Sequence, residues 1–269
     1  KKTSAKEYED AEMPVVLGIT EDGNDLILDL ADQAHYGIQG QTRSGKSVLT
    51  YVWLSRVSQE PTVRVVGCDP TGVLLGPFSE KLEPWIALGT KNMSDHAEAL
   101  EAVVAEMDNR IASLGHLGLD KLPRSTVDKP KLFVVLEEFP GILNAASAED
   151  SREARKPNER VKNRILAARS RLLNEGAKVN ISVLTLAQRF DAEIGGGAER
   201  AQISYRFTLR VDNSDAVRML HPNAGSEVAE QVALFKPGHG LVDRPGYPLS
   251  RFRGDYIDYQ TYRSRVLGS

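Results

Sequence analysis

Cysteine is almost absent from this sequence. Cys68 is the single one, which excludes an internal disulfide framework and any cysteine-based zinc site, and points to a reducing compartment. It sits in an apolar run, where a thiol packs as a small hydrophobe. Long apolar runs are missing too. With no stretch of 18 or more such residues, nothing in the sequence reads as a membrane-spanning helix. Positive charge is not in excess. A formal net charge of −3 argues against a chain coated in nucleic acid, while leaving room for a local basic face. Internal repeats, low-complexity tracts and a signal-peptide pattern are also lacking. The chain opens on Lys-Lys-Thr instead of Met, as expected of a domain excised from a longer protein. What is there is 269 residues, 41% hydrophobic and 26% charged, long enough for one large α/β domain.

The octapeptide Gly40-Gln41-Thr42-Arg43-Ser44-Gly45-Lys46-Ser47 fits G-x-x-x-x-G-K-[ST], the phosphate-binding P-loop. Its glycines allow a tight turn that converges backbone N–H groups on phosphate oxygens. The nucleotide-binding set is therefore expected to run Gly40, Gln41, Thr42, Arg43, Ser44, Gly45, Lys46, Ser47 and Val48. Lys46 is expected to reach the terminal phosphates as a point charge, and the Ser47 hydroxyl to ligate Mg²⁺. A P-loop follows a strand and opens a helix. His35-Tyr36-Gly37-Ile38-Gln39 supplies a short candidate strand, and residues 48–57 are apolar enough for a buried helix. The ligands expected from this motif are ATP and Mg²⁺.

Lys131-Leu132-Phe133-Val134-Val135-Leu136-Glu137-Glu138 is the second chemical motif: a strand apolar on both faces that ends in two carboxylates. After a P-loop this is the Walker B arrangement. Glu137 is expected to support the Mg²⁺ shell, although Asp is the usual residue there and Glu is one methylene longer. Glu138 is expected to orient and activate the attacking water. Asn180-Ile181-Ser182-Val183-Leu184-Thr185-Leu186 reads as a further buried strand. It ends at Ala187-Gln188-Arg189, where the Gln188 amide can sense a γ-phosphate. Arg206, Arg210 and Arg218 are candidate arginine fingers, with Arg206 preferred.

The rest of the sequence reads as scaffold. Residues 1–14 are polar and expected to form a flexible arm. Val15–Ile19 and Leu26–Leu28 flank the turn Glu21-Asp22-Gly23-Asn24 as a hairpin. Thr62–Cys68 reads as a strand whose following Asp69 stands on a ligand-binding edge, and Trp85–Leu88 as another short strand. Residues 95–114 predict a helix capped by Asp95 with Glu98 and stopped by Gly115. Residues 144–160 read as a surface loop, and a helix is expected from about 158 to 175. On that helix Arg160, Arg164 and Arg171 share a stripe, suited either to DNA phosphates or to a solvated flank. Gly195-Gly196-Gly197 reads as a flexible loop. Tyr205–Val211 alternates as a strand, and Gly238-His239-Gly240-Leu241-Val242 as a turn entering a final strand.

These motifs, in this order, resemble the FtsK/SpoIIIE family of hexameric double-stranded-DNA translocases. The similarity runs from about Leu17 to about Phe252. The segment DLADQAHYGIQGQTRSGKS is similar to the family's DL…PHLLVAGxTGSGKS, and CDPTGVLLGPF to its IDPK segment, with Thr71 in place of Lys. FVVLEEFPGIL resembles VVVDELADLM, LTLAQRF matches LATQRP with Gln188 at the sensing position, and ISYRFTLRV is similar to IPTRIAFKV, which puts Arg206 on that motif's arginine. Within the family the sequence looks like the divergent branch of actinobacterial plasmids and integrative elements, including TraB-type conjugation proteins. The resemblance implies a RecA-like P-loop α/β fold over residues 15–269, with a mostly parallel central sheet flanked by helices. It implies an ATPase in which Lys46, Glu137, Glu138, Gln188 and Arg206 carry the chemistry. It also implies a homo-oligomeric, hexameric ring that grips double-stranded DNA by its backbone, in the cytoplasm, with a possible tether to the membrane's inner face through segments outside this chain. Three rival readings remain: a type VII secretion ATPase moving proteins, a type IV coupling protein moving single-stranded DNA, and a weakly hydrolysing nucleotide-binding assembly module.

Overall fold

The expected hairpin is where the described chain begins. In the computed structural model residues 12–268 are described. Pro14–Thr20 (β1) pairs antiparallel with Asp25–Asp29 (β2), with a register shift between Val16 and Gly18. Of the expected arm, residues 1–11 lie outside the described residues; the N–H groups of Glu12 and Met13 donate to the Asp29 carboxylate, each at 2.8 Å. His35–Gln39 (β3) is buried at every position and leads into the P-loop and then Lys46–Val57 (α1). The strand and helix required on either side of that motif are both present.

The chain divides into two compact units, the first formed by residues up to Glu60 and from Ala187 onward, the second by Pro61–Leu186. The second unit contains Val63–Asp69 (β4), Gly76–Glu80 (α2), Ile86–Leu88 (β5), Ser94–Leu117 (α3), Lys131–Leu136 (β6), Phe139–Arg152 (α4), Val161–Glu175 (α5) and all but the last residue of Ile181–Ala187 (β7). Its strands run in the order β7-β6-β4-β5 and every pair is parallel. Parallel neighbours need crossover connections, and here helices supply each one. β6 and β7 are buried at every position, which is why they read as unbroken apolar runs and not as alternating ones.

Back in the first unit, the chain adds Ala192–Gly195 (α6), Gly197–Gln202 (α7), Ile203–Leu209 (β8), Ser214–Leu220 (α8), Ser226–Gln231 (α9), His239–Asp243 (β9), Ser250–Gly254 (β10) and Tyr259–Leu267 (α10). Strand order is β2-β1-β10-β9-β8-β3, with β3 and β8 parallel and the others antiparallel. Aromatic contacts tie α1 into this unit. Trp53 meets Tyr36 edge-on at 5.0 Å and Phe207 at 5.7 Å, and Tyr51 stacks on Tyr262 of α10 at 4.7 Å.

Several expectations need correction. The helix predicted over 95–114 runs from Ser94 to Leu117 and stops at Gly118, whose φ of 64° is the left-handed conformation of a glycine C-cap. Asp95 and Glu98 do not cap it. Met93 is the N-cap residue, and its N–H is taken by the Glu149 carboxylate at 2.7 Å. Residues 144–152 are helix α4 and not loop, because Ile142, Leu143 and Ala146 are fully buried, and Glu149 and Asp150 act as caps for other backbone. Asp150 accepts from the Val161 and Lys162 N–H groups, which fixes the start of α5 at Val161 and not near residue 158. The three glycines 195–197 lie at the junction of α6 and α7 and not in an open loop. β9 is not the final strand, since β10 and α10 follow it.

Candidate nucleotide site

Steric limits dictate the glycines of the P-loop. Gly45 has φ 97°, and a Cβ there would stand 2.5 Å from the Gly238 nitrogen. A Cβ on Gly40 would stand 2.5 Å from Ser44 Oγ, and Ser44 itself is fully buried. The loop closes on itself through Ser44 N–H to Gln41 O at 3.0 Å and is held from outside by Gly238 N–H to Ser44 O at 2.8 Å. Gly45 serves as N-cap of α1 and offers no side-chain cap, and the first turn of α1 carries no acidic residue. With no side-chain cap, the helix presents the positive end of its dipole to the loop. A cradle of this shape fits a phosphate anion. Among the described residues no cluster of three or more His, Cys, Asp or Glu side chains could hold a metal ion. The Ser47 hydroxyl, exposed in the first turn of α1, is an oxygen that would join phosphate oxygens around a Mg²⁺.

The remaining candidates of the first unit converge on this loop to different degrees. Gly40 N–H donates to Ala187 O at 3.2 Å, so the residue preceding Gln188 is bonded to the first P-loop glycine. Gln39, fully buried, ties the same segment down. Its Oε1 accepts from Phe190 N–H at 3.0 Å, and its Nε2 donates to Thr208 Oγ1 at 2.9 Å and to Ala216 O at 2.8 Å. Sequence reasoning missed Gln39. A buried amide one residue before the P-loop was the available signal. Arg206 pairs in register with Gly37, three residues short of the P-loop, and its side chain is only 18% exposed. Nε donates to Ile203 O at 2.8 Å, and NH1 lies 3.4 Å from an Asp243 carboxylate oxygen. Burial lowers its pKa against the opposing pull of Asp243. Arg210 stands closer to the loop: its carbonyl accepts from Gln41 N–H at 2.9 Å, and its NH2 donates to Arg43 O at 3.3 Å.

In the second unit, Glu137 follows β6, and its N–H donates to Cys68 O at 2.9 Å. Glu138 is the N-cap of α4 with φ 45° and ψ 55°, a left-handed conformation that a residue with a Cβ enters only at an energetic cost. Burial raises the Cys68 thiol pKa well above its ordinary range, and the thiol is inert packing. Asp69 is spent on its own loop. Oδ1 accepts from the N–H groups of Thr71 and Gly72 and from Thr71 Oγ1, and Oδ2 accepts from Leu75 N–H. Thr71, which stands where the resembling family has Lys, is part of that staple. Two arginines of the expected stripe are paired within the second unit, while Arg160 is the exposed N-cap residue of α5. Arg164 makes a two-pronged contact with Glu101 at 2.7 and 2.8 Å, and Arg171 bonds Asp108 and Glu175. The bonds join α5 to α3, which favours the scaffold role over DNA contact for those two residues.

The sequence profile of the FtsK/SpoIIIE family matches residues 2–190. DNA translocase SftA of Bacillus subtilis (strain 168) is 26% identical over 270 residues, covering 95% of this chain and 26% of SftA. A Streptomyces azureus protein named sporulation regulatory protein is 28% identical over 222 residues, covering 80% of this chain and 69% of that protein. DNA translocase FtsK of Chlamydia muridarum is 26% identical over 267 residues, covering 91% of this chain and 31% of FtsK. The chain thus spans less than a third of those two translocases. Among solved structures, that of pCW3 conjugation coupling protein TcpA in monomer form with ATPgS superposes with a TM-score of 0.72 at 20% identity, covering 98% of this chain and 72% of TcpA. The cytoplasmic domain of the Thermomonospora curvata type VII secretion ATPase EccC gives 0.67 at 21% identity, covering 95% and 30%. At these identities the likeness establishes the fold, that of a P-loop ATPase.

Proposed function

The chain belongs to the FtsK/SpoIIIE family, and on that footing we propose that it is an ATP-driven motor that moves double-stranded DNA. The observation that carries the nucleotide half of this reading is the P-loop geometry, with a left-handed Gly45, a Gly40 that admits no Cβ, and an uncapped α1 N-terminus. The DNA half rests on the family and on the translocases among its relatives. In this reading residues 40–48 cradle ATP, with Lys46 on the terminal phosphates. Ser47 and Glu137 are assigned to the Mg²⁺ shell, which neutralises charge on the phosphates. Glu138 holds and deprotonates the attacking water, and Gln188 reports the γ-phosphate to the Gln39 network. The protein is proposed to act as a homo-oligomeric ring, hexameric as the resemblance implies. It would contact the DNA backbone without reading bases, in the cytoplasm and as part of a conjugation or segregation apparatus.

Arg206 is the proposed finger acting on the neighbouring subunit's nucleotide. For that role it must leave Ile203 O and Asp243, so ring assembly has to supply the competing contacts. An Arg206→Ala chain is expected to bind ATP as wild type does and to lose DNA-stimulated turnover. Wild-type stimulation in that variant would remove Arg206 from the role.

The experiment that tests the whole reading is steady-state ATP hydrolysis with and without duplex DNA, with Lys46→Ala as the inactive control. Two other readings stand beside it, a coupling protein acting on single strands and a protein-secretion motor. Adding single-stranded DNA to the same assay separates them: stimulation by single strands alone marks the coupling protein, and turnover that answers to neither DNA marks the secretion motor.

A further inference from the structure

Arg43 occupies a backbone position that suits glycine. Its φ is 63°, left-handed, inside the tightest part of the P-loop, where the family's pattern TGSGKS carries glycine and this chain reads TRSGKS. A side chain there strains the backbone, whereas glycine enters the same conformation freely. The strain is held in place from two sides. Arg210 NH2 donates to the Arg43 carbonyl at 3.3 Å, and Gln41 N–H donates to the Arg210 carbonyl at 2.9 Å. The side chain gives nothing back to the fold. It is exposed, and among the described residues the Arg43 guanidinium has no hydrogen bond or ion pair. A strained residue whose side chain does nothing for the folded chain is a candidate for function.

Resting on the nucleotide reading above, we infer that the Arg43 guanidinium is a ligand of the polyphosphate tail of the nucleotide bound to its own P-loop. A phosphate cradle concentrates negative charge next to Arg43 as soon as a nucleotide arrives. A planar guanidinium answers phosphate oxygens with two parallel donors. Arg43 then complements Lys46: Lys46 is a point charge at the start of α1, and Arg43 a fork three residues earlier in the same loop. This makes Arg43 a binding residue supplied in cis, separate from the finger proposed in trans.

The test uses the chain as it stands, with Arg43→Gly and Arg43→Lys, read by thermal melting without nucleotide and by binding of fluorescent ATPγS in Mg²⁺ at concentrations where the chain is monomeric. Arg43→Gly is expected to melt about 1–3 °C higher, because the backbone strain is relieved, and to bind ATPγS about tenfold more weakly. Arg43→Lys, which keeps the charge and loses the fork, is expected to fall between. Wild-type affinity in Arg43→Gly overturns the inference. So does a variant that loses affinity while melting lower, which makes Arg43 a structural residue, and so does a loss seen only where the chain self-associates, which puts the guanidinium on a neighbour. If the wild type itself binds no ATPγS, the nucleotide reading falls and the Arg43 inference with it.

Discussion

Glu138 and Arg43 share a property at the level of single residues: each holds a side chain on left-handed backbone inside one of the two motifs proposed for ATP hydrolysis, with φ of 45° and 63°. Strain of this kind costs roughly 1–3 kcal/mol per residue and persists where the surroundings over-determine it. For Glu138 the surroundings are α4, whose first turn its carbonyl opens by accepting from Gly141 and Ile142 N–H at 2.8 and 3.2 Å. Glu138→Gln keeps the backbone and the side-chain length and removes the proton acceptor. It is expected to bind ATP normally, to melt within about 1 °C of wild type, and to hydrolyse at least a hundredfold more slowly. Single-turnover measurement checks this, and normal turnover would take the water-activating role from Glu138. The P-loop was legible in the sequence because its spacing follows from backbone geometry alone. The strain at Arg43 and Glu138 was not legible, since a φ angle has no signature in residue type when the residue is not glycine. Asp69 was misleading for a related reason. A carboxylate at a strand end reads as a ligand, and only the loop folded over it shows that its oxygens are already taken.

At the level of elements, β3, β8, α8 and β9 meet in a buried polar chain. Gln39 donates to Thr208 Oγ1, which lies 2.8 Å from His221 Nε2, and Asp243 stands 4.0 Å from His221 Nδ1 and 3.4 Å from Arg206. Burial, with Arg206 adding to it, pushes the His221 pKa down to about 3. The native imidazole is therefore neutral, while the unfolded chain takes up a proton near the ordinary value of about 6.5. Between those two values the unfolded state binds the proton that the native state refuses, so stability falls as pH falls through about 6.5 towards 3. Buried His96 is shifted in the same direction and adds to the same trend. Denaturant melts at pH 7, 6 and 5 are expected to show this decline. His221→Gln, which keeps a partner for Thr208, is expected to remove about 1 kcal/mol per pH unit of slope below pH 6. An unchanged slope would mean that His221 is protonated in the fold. Parallel strands of the second unit were legible as unbroken apolar runs. Helix α4 was not, because its polar residues 149 and 150 are buried caps for other elements, and a cap reads as a surface residue until its partner backbone is placed.

For the molecule as a whole, the fold and the family agree with the order of motifs along the chain, and the P-loop lies in the first unit while the two carboxylates after β6 lie in the second. Distant pairings explain what sequence alone left open. Gln39 meets Thr208 and Ala216, and Gly238 closes on Ser44, across separations no local pattern encodes. Among the described residues no helix is long and apolar enough to cross a membrane. If this chain is the motor proposed above, its ATP turnover is driven by duplex DNA. The most direct test is steady-state ATPase activity at low salt, titrated separately with double-stranded DNA, single-stranded DNA and neither, beside Lys46→Ala. The expected result is strong stimulation by duplex, weak stimulation by single strands, stimulation that fades as salt rises, and no turnover in Lys46→Ala. Turnover that ignores duplex DNA, or that answers better to single strands, would contradict it.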